Sequence, residues 1–166
     1  MSAEDVSRSA LEIIGTYTRL GLKIVTAESC TGGMVASALT AIAGSSAVLE
    51  RGFVTYSNEA KAEMLGVPPA LIAQHGAVSE AVARAMAEGA LQNSRADISV
   101  AITGIAGPAG GSVSKPVGLV HFASAIRGAG TRHVAQQFGN PGRDQVRLCA
   151  VLTALDLLAK ATGENR

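Results

Sequence analysis

The sequence predicts an α/β fold, a three-layer α/β/α arrangement around a mixed, mostly parallel sheet. Three observations lead there. Short apolar runs of strand length alternate with longer segments whose apolar residues recur at helical spacing. The early strand-like runs are separated by helix-like ones, which calls for parallel crossovers. The last two runs are joined only by Gly128-Ala129-Gly130, which fits a hairpin.

Each element has its own justification. Ser2 or Ala3 opens a helix to about Leu20, with Val6, Ala10, Leu11, Ile13, Ile14 and Tyr17 on one stripe and Gly21 ending it. Lys23-Ile24-Val25-Thr26-Ala27 is a short buried strand, and Gly32 to Ala43 reads as a helix closed by Gly44. Val48 to Tyr56 is a longer strand. A helix spans Asn58 to Leu65 and stops at Gly66, and Pro68-Pro69 starts a further short turn. Ala81 to Gln92 is helical by composition, behind a Ser79 cap that lacks the acidic partner of a full capping box. Ile98 to Ile102 is a buried strand opening into a glycine-rich loop. Val117 to Ile126 and Arg132 to Phe138 are strands. After Asn140-Pro141-Gly142 a final helix runs to about Lys160, its stripe made by Val146, Cys149, Ala150, Leu152, Leu155 and Leu158. No linker, repeat or low-complexity stretch intervenes, so one domain is expected over residues 1–166.

Composition excludes several function classes. Of the 166 residues 48% are apolar and only 16% charged, which excludes disorder. A net charge of +1, aromatics at 3% and no Trp weigh against a nucleic-acid partner. No apolar run is long enough to span a bilayer, so no membrane partner is expected. Cys30 and Cys149 make no disulfide framework, and three isolated histidines make no metal cluster. No metal or organic cofactor is expected. The acidic, polar N-terminus is unlike a signal peptide, which implies a cytoplasmic location. The apolar helices offer surface for a homo-oligomer, a dimer being favoured.

Ligands of open α/β sheets sit beyond the carboxyl ends of the strands. Three distinctive segments follow such ends here: Glu28 to Gly33, Tyr56 to Lys61, and Thr103 to Gly111. The first places Ser29, Cys30, Thr31, Gly32 and Gly33 at a helix start, where orphan N–H groups and the helix dipole favour a phosphate or an oxyanion. Ser29 and Thr31 are there either as caps or as reactive groups. Cys30 competes with Ser29 as nucleophile, since a thiol at a helix N-terminus is expected to have a depressed pKa. Adjacent residues point in different directions, and Ser29 is the favoured one. A nucleophilic serine needs a base. No histidine lies in a motif at a strand end, so a Ser-His-Asp triad is disfavoured, whereas Lys61 starts a helix just past a long strand. Its alternative is a solvated surface lysine.

Tyr56 either bonds between Ser29 and Lys61 or is an ordinary strand residue. The loop from Thr103 carries Gly104, Gly107, Gly110 and Gly111, which allow backbone to approach a ligand closely. It is neither a Walker A loop nor a dinucleotide fingerprint. Arg143 opens the final helix against its dipole, which points to an anion nearby, either Asp144 or a ligand. Arg147, one turn on, reads as a surface charge, and Lys115 as a second anion contact or a solvated loop residue.

Four segments, Thr26-Ala27-Glu28-Ser29-Cys30-Thr31-Gly32-Gly33, Tyr56-Ser57-Asn58-Glu59-Ala60-Lys61, Thr103-Gly104-Ile105-Ala106-Gly107-Pro108 with Gly110-Gly111, and Lys115-Pro116-Val117-Gly118, together resemble the CinA C-terminal-domain family. The resemblance covers nearly the whole chain, in order. It implies an amidase that converts nicotinamide mononucleotide to the carboxylate and ammonia, on a fold similar to the anticodon-binding domain. Family members often carry an N-terminal molybdopterin-binding-like domain, so a stand-alone amidase is expected. The family's serine nucleophile falls on Ser29 and its lysine on Lys61. Its other active-site positions fall on Tyr56, Thr103 and Arg143. Glu28 and Cys30 to Gly33, with Gly104, Gly107, Gly110 and Gly111, then become the expected substrate contacts. Ser114 stands where an acidic residue is common. A non-catalytic nucleotide-binding module, a cysteine hydrolase using Cys30, and a competence-associated interaction protein are the alternatives.

Overall fold

A computed structural model of the chain describes residues 1–163. Helix α1 (Ala3–Leu20) begins on a capping box, the Ser2 side chain accepting from the Asp5 N–H while the Asp5 carboxylate accepts from the Ser2 N–H. It ends where Gly21 turns left-handed at φ 67°. Strand β1 (Ile24–Glu28) is buried throughout, and α2 (Met34–Thr40) follows after a turn. The helix expected over 32–43 is shorter at both ends, because Gly32 (φ 56°) and Gly33 (φ 98°) lie outside helical geometry. Strand β2 (Leu49–Val54) leads into α3 (Asn58–Leu65), and the turn expected at Pro68-Pro69 grows into a full helix, α4 (Pro69–His75). Then come α5 (Glu80–Gln92), β3 (Ile98–Gly104), β4 (Leu119–Ile126), β5 (Thr131–Gln137) and α6 (Arg143–Ala161).

The five strands form one sheet in the order β2-β1-β3-β4-β5. The mix is even: β1 runs parallel to β2 and to β3, while β4 is antiparallel to β3 and to β5. The β4–β5 hairpin is as expected. The glycine-rich segment 105–118 reverses the chain between β3 and β4.

Alternation along the strands divides the interior in two. Ile24, Val100, Ile102, Val120 and Phe122 face α1, α2 and α6. Val25, Ala27, Ala101, Ala123 and Ala125 face α3, α4 and α5. On the second face, alanine on both sides lets α5 approach closely, and Ser99 on β3 donates to the Ala87 carbonyl at 2.8 Å. On the first face the Tyr17 hydroxyl donates to the Leu158 carbonyl at 2.7 Å, tying α1 to α6. Burial pushes that phenol pKa up. The carboxyl ends of β1, β2 and β3 therefore lie along one edge of the sheet, with the first turn of α6 beside them. Among the described residues, no helix is long and apolar enough to cross a membrane.

Candidate active site

Everything distinctive gathers where β1 ends. Glu28, the last residue of β1, is fully buried and turns its carboxylate toward α2, accepting from the N–H of Val35 (2.9 Å) and Ala36 (3.1 Å). The dipole end of α2, expected to hold a ligand anion, is thus already neutralised by a residue of the chain itself. Ser29 follows, its N–H fixed on the Ile102 carbonyl at 3.0 Å. The side chain of Ser29 consequently faces away from α2, toward the opposite layer.

Lys61 meets it there. Helix α3 starts on a Ser57 cap, whose hydroxyl accepts from the Ala60 N–H at 3.0 Å, and this turn directs Lys61 inward. Its Nζ lies 3.1 Å from Ser29 Oγ, 2.9 Å from the Thr55 carbonyl and 3.3 Å from the Tyr56 carbonyl. The residue is 1% exposed. Among the described residues no carboxylate pairs with it, so burial pushes its pKa down, opposed only weakly by the Cys30 thiol. The solvated-lysine alternative does not hold.

A cleft of about 260 Å³ opens above the pair. Ser29, Cys30, Tyr56, Lys61, Thr103 and Arg143 all line it, with Gly104, Gly107 and Gly110 from the loop after β3. Thr103 is buried, and its hydroxyl donates to the Ala77 carbonyl at 2.8 Å, which anchors the α4–α5 connection over the site. Arg143 donates to the Gly107 carbonyl at 2.8 Å and to the Tyr56 hydroxyl at 2.9 Å. It braces the glycine loop against the β2–α3 connection across the mouth of the cleft. The Tyr56 hydroxyl therefore bonds to Arg143 rather than between Ser29 and Lys61, and Asp144 forms no ion pair with Arg143 among the described residues.

Several sequence expectations change. Glu28, Thr31, Gly32, Gly33 and Gly111 are not in the cleft wall among the described residues; Glu28 and Thr31 are fully buried elsewhere. The Cys30 thiol pKa is not depressed. Burial pushes it up to about 11, with the Arg147 and Arg143 charges too weak to offset this. Lys115 is engaged by the His75 carbonyl, at the C-terminal end of α4, rather than waiting for an anion. His121 and His133 bond to each other at 2.9 Å on β4 and β5, and neither bonds to Ser29.

Four contributors were not singled out from the sequence. Asn58, Ala77 and Val78 line the cleft, and nothing local to Ala77-Val78 signals it. Arg147, expected at the surface, is half-buried and donates to the carbonyls of Cys30 (3.1 Å) and Thr31 (3.3 Å). Its spacing of four residues from Arg143 was the available signal, since such a pair shares one helix face.

Comparison with known proteins gives the family. The model of the CinA C-terminal domain matches residues 7–162. The chain belongs to the CinA C-terminal domain family. Within it, the chain is 58% identical over 146 residues to the nicotinamide-nucleotide amidohydrolase PncC of Escherichia coli strain K12, covering 87% of each chain. It is 52% identical over 149 residues to a CinA-like protein of Anaeromyxobacter dehalogenans, covering 90% of this chain but only 36% of that longer relative. Among solved structures, the competence/damage inducible protein CihA from Agrobacterium tumefaciens superposes with a TM-score of 0.94 at 53% identity, covering 95% of this chain and 96% of that one. The α/β architecture is thus that of the CinA family.

Proposed function

We propose that this protein is a nicotinamide-nucleotide amidase that hydrolyses the carboxamide of nicotinamide mononucleotide through a Ser29–Lys61 dyad. One observation carries the chemistry: a buried lysine with no carboxylate partner, its amine 3.1 Å from a serine hydroxyl at the floor of a cleft. The substrate class is supported by the likeness to PncC over nearly the full length of both chains.

A neutral amine has two N–H groups and one lone pair. Three carbonyls surround Nζ; those of Thr55 (2.9 Å) and Tyr56 (3.3 Å) lie nearer than that of Ser57 (3.5 Å) and take the two N–H groups, which leaves the lone pair for the Ser29 hydroxyl. Desolvation shifts the balance toward that neutral form. Ser29 Oγ attacks the carboxamide carbon as its proton passes to Lys61, and the carbonyl oxygen takes the negative charge. Collapse re-forms the carbonyl and breaks the C–N bond, and Lys61 returns the proton to the departing nitrogen, releasing ammonia. Water, deprotonated by the same amine, then attacks the acyl-serine and frees the carboxylate and Ser29. Thr103 holds the Ala77 connection over the reacting group. Arg143 retains three of its five N–H donors beyond the two bonds that brace it, and these face a nucleotide phosphate together with the glycine loop. The dyad and this loop account for the hydrolysis using the chain's own residues.

The test is ammonia release from nicotinamide mononucleotide, with mass spectrometry of the quenched enzyme for an acyl adduct on Ser29. Wild-type turnover and its loss in Ser29→Ala, with nucleotide binding kept, is the expected result. Turnover in Ser29→Ala refutes the dyad.

A further inference from the structure

Arg147 lies outside the cleft wall, yet it is the terminus of an uninterrupted hydrogen-bonded path into it. Its Nη2 donates to the Thr31 carbonyl at 3.3 Å. The N–H on the far side of that same peptide unit belongs to Gly32, and it donates to the Ser29 carbonyl at 3.0 Å. The N–H on the far side of that next unit belongs to Cys30, which lines the cleft beside the nucleophile. Among the described residues, the Cys30 N–H bonds to no carbonyl and faces only the weakly accepting sulfur of its own side chain.

We infer that Arg147 is a positioning residue for an oxyanion hole whose donor is the Cys30 N–H. This inference rests on the reading of Ser29 as nucleophile. A trans peptide is planar and its N–H points opposite to its C=O, so fixing one fixes the other. The guanidinium fixes the peptide between Thr31 and Gly32, and that peptide fixes the one between Ser29 and Cys30. Gly32 permits the turn, since its φ of 56° is open to glycine at little cost. A second bond, from Arg147 Nε to the Cys30 carbonyl at 3.1 Å, holds the intervening unit. The whole turn is therefore immobilised before substrate arrives. The cation at one end also polarises the bonded dipoles in series, making the terminal N–H a stronger donor. An oxyanion formed at Ser29 meets this donor, whereas the neutral ground-state carbonyl gains less from it. The effect belongs to the transition state.

The experiment compares wild type, Arg147→Met and Arg147→Lys in two measurements. One is steady-state ammonia release from nicotinamide mononucleotide. The other is the affinity for its aldehyde analogue, in which –CHO replaces the carboxamide. Ser29 adds to that aldehyde reversibly, its proton passing to Lys61 while the former carbonyl oxygen takes up the charge in the hole. Loss of a direct oxyanion donor typically lowers kcat by about 10²–10³-fold, and a residue acting through that donor by less, roughly 10–100-fold. Arg147→Met should lower kcat by that amount, leave KM within about twofold, and weaken aldehyde binding in proportion. Arg147→Lys, with one donor nitrogen in place of two, should fall between Arg147→Met and wild type in both measurements. A kcat for Arg147→Met within about threefold of wild type overturns the inference, as does a loss of kcat with unchanged aldehyde affinity. Should Arg147→Met fail to fold, Arg147→Lys decides: wild-type kcat and aldehyde affinity in that variant overturn it. Failure of the nucleophile reading looks different, because Ser29→Ala then keeps turnover or the wild type forms no adduct at Ser29.

Discussion

Replacing Lys61 by methionine separates chemistry from stability, and the structure sets both magnitudes. The thioether keeps the length and most of the volume of the stem but removes the amine. Four hydrogen bonds vanish, to Ser29 Oγ and to the carbonyls of Thr55, Tyr56 and, at the longest distance, Ser57. Each is worth about 0.5–1.5 kcal/mol net, and the cost of burying an ionisable group disappears with them. These effects oppose, so unfolding free energy should change by less than about 2 kcal/mol, measured by urea denaturation. Activity should respond quite differently. Loss of a general base costs about 10²–10⁴-fold, and a thousandfold loss corresponds to roughly 4 kcal/mol in the barrier.

Lys61→Arg sharpens the test, since a guanidinium keeps the charge but cannot give up its proton at accessible pH. The assay is ammonia release as a function of pH. Because burial lowers the amine pKa, the neutral form grows as pH rises through that lowered value, and wild-type kcat/KM should rise with it. Both variants should lack that limb. The same shift makes stability rise with pH between the folded pKa and the ordinary lysine value of 10.5, where the unfolded chain binds more protons than the native one. Retention of more than about a tenth of wild-type kcat/KM by either variant refutes the lysine's role as base.

Two further outcomes are expected. Glu28→Gln should destabilise the fold by about 1–3 kcal/mol in urea unfolding, because an amide can accept from only one of the two α2 N–H groups and turns its own N–H toward the other; unchanged stability means that the buried carboxylate does not anchor the turn. Cys30→Ala should retain ammonia release within about threefold, and the wild-type thiol should react slowly with iodoacetamide at pH 8, because its pKa sits at about 11; rapid alkylation with loss of activity in Cys30→Ala points to the thiol as nucleophile.

The sequence announced elements whose ends carry their own chemistry. Helix α1 is legible to within a residue because Ser2, Asp5 and Gly21 mark both ends. Helix α2 is misjudged at its start because Gly32 and Gly33 look like the opening of a periodic segment, and only three-dimensional closure shows them as a turn. Ser29 and Lys61 could be nominated separately by their places after strand ends. Their 3.1 Å approach follows from the parallel pairing of β1 with β2, a long-range fact that no local spacing encodes. Arg147 was misread for a related reason: its partners are backbone carbonyls, which carry no side-chain signature.

The last helix closes the list of parts the site requires. Residues 29 and 61 come from the first half of this sequence, yet the arginines that brace the mouth of the cleft and bond the turn after Ser29 come from α6, whose far end also anchors α1. On the proposed reading, turnover therefore doubles as a report that α6 has docked against both α1 and the cleft.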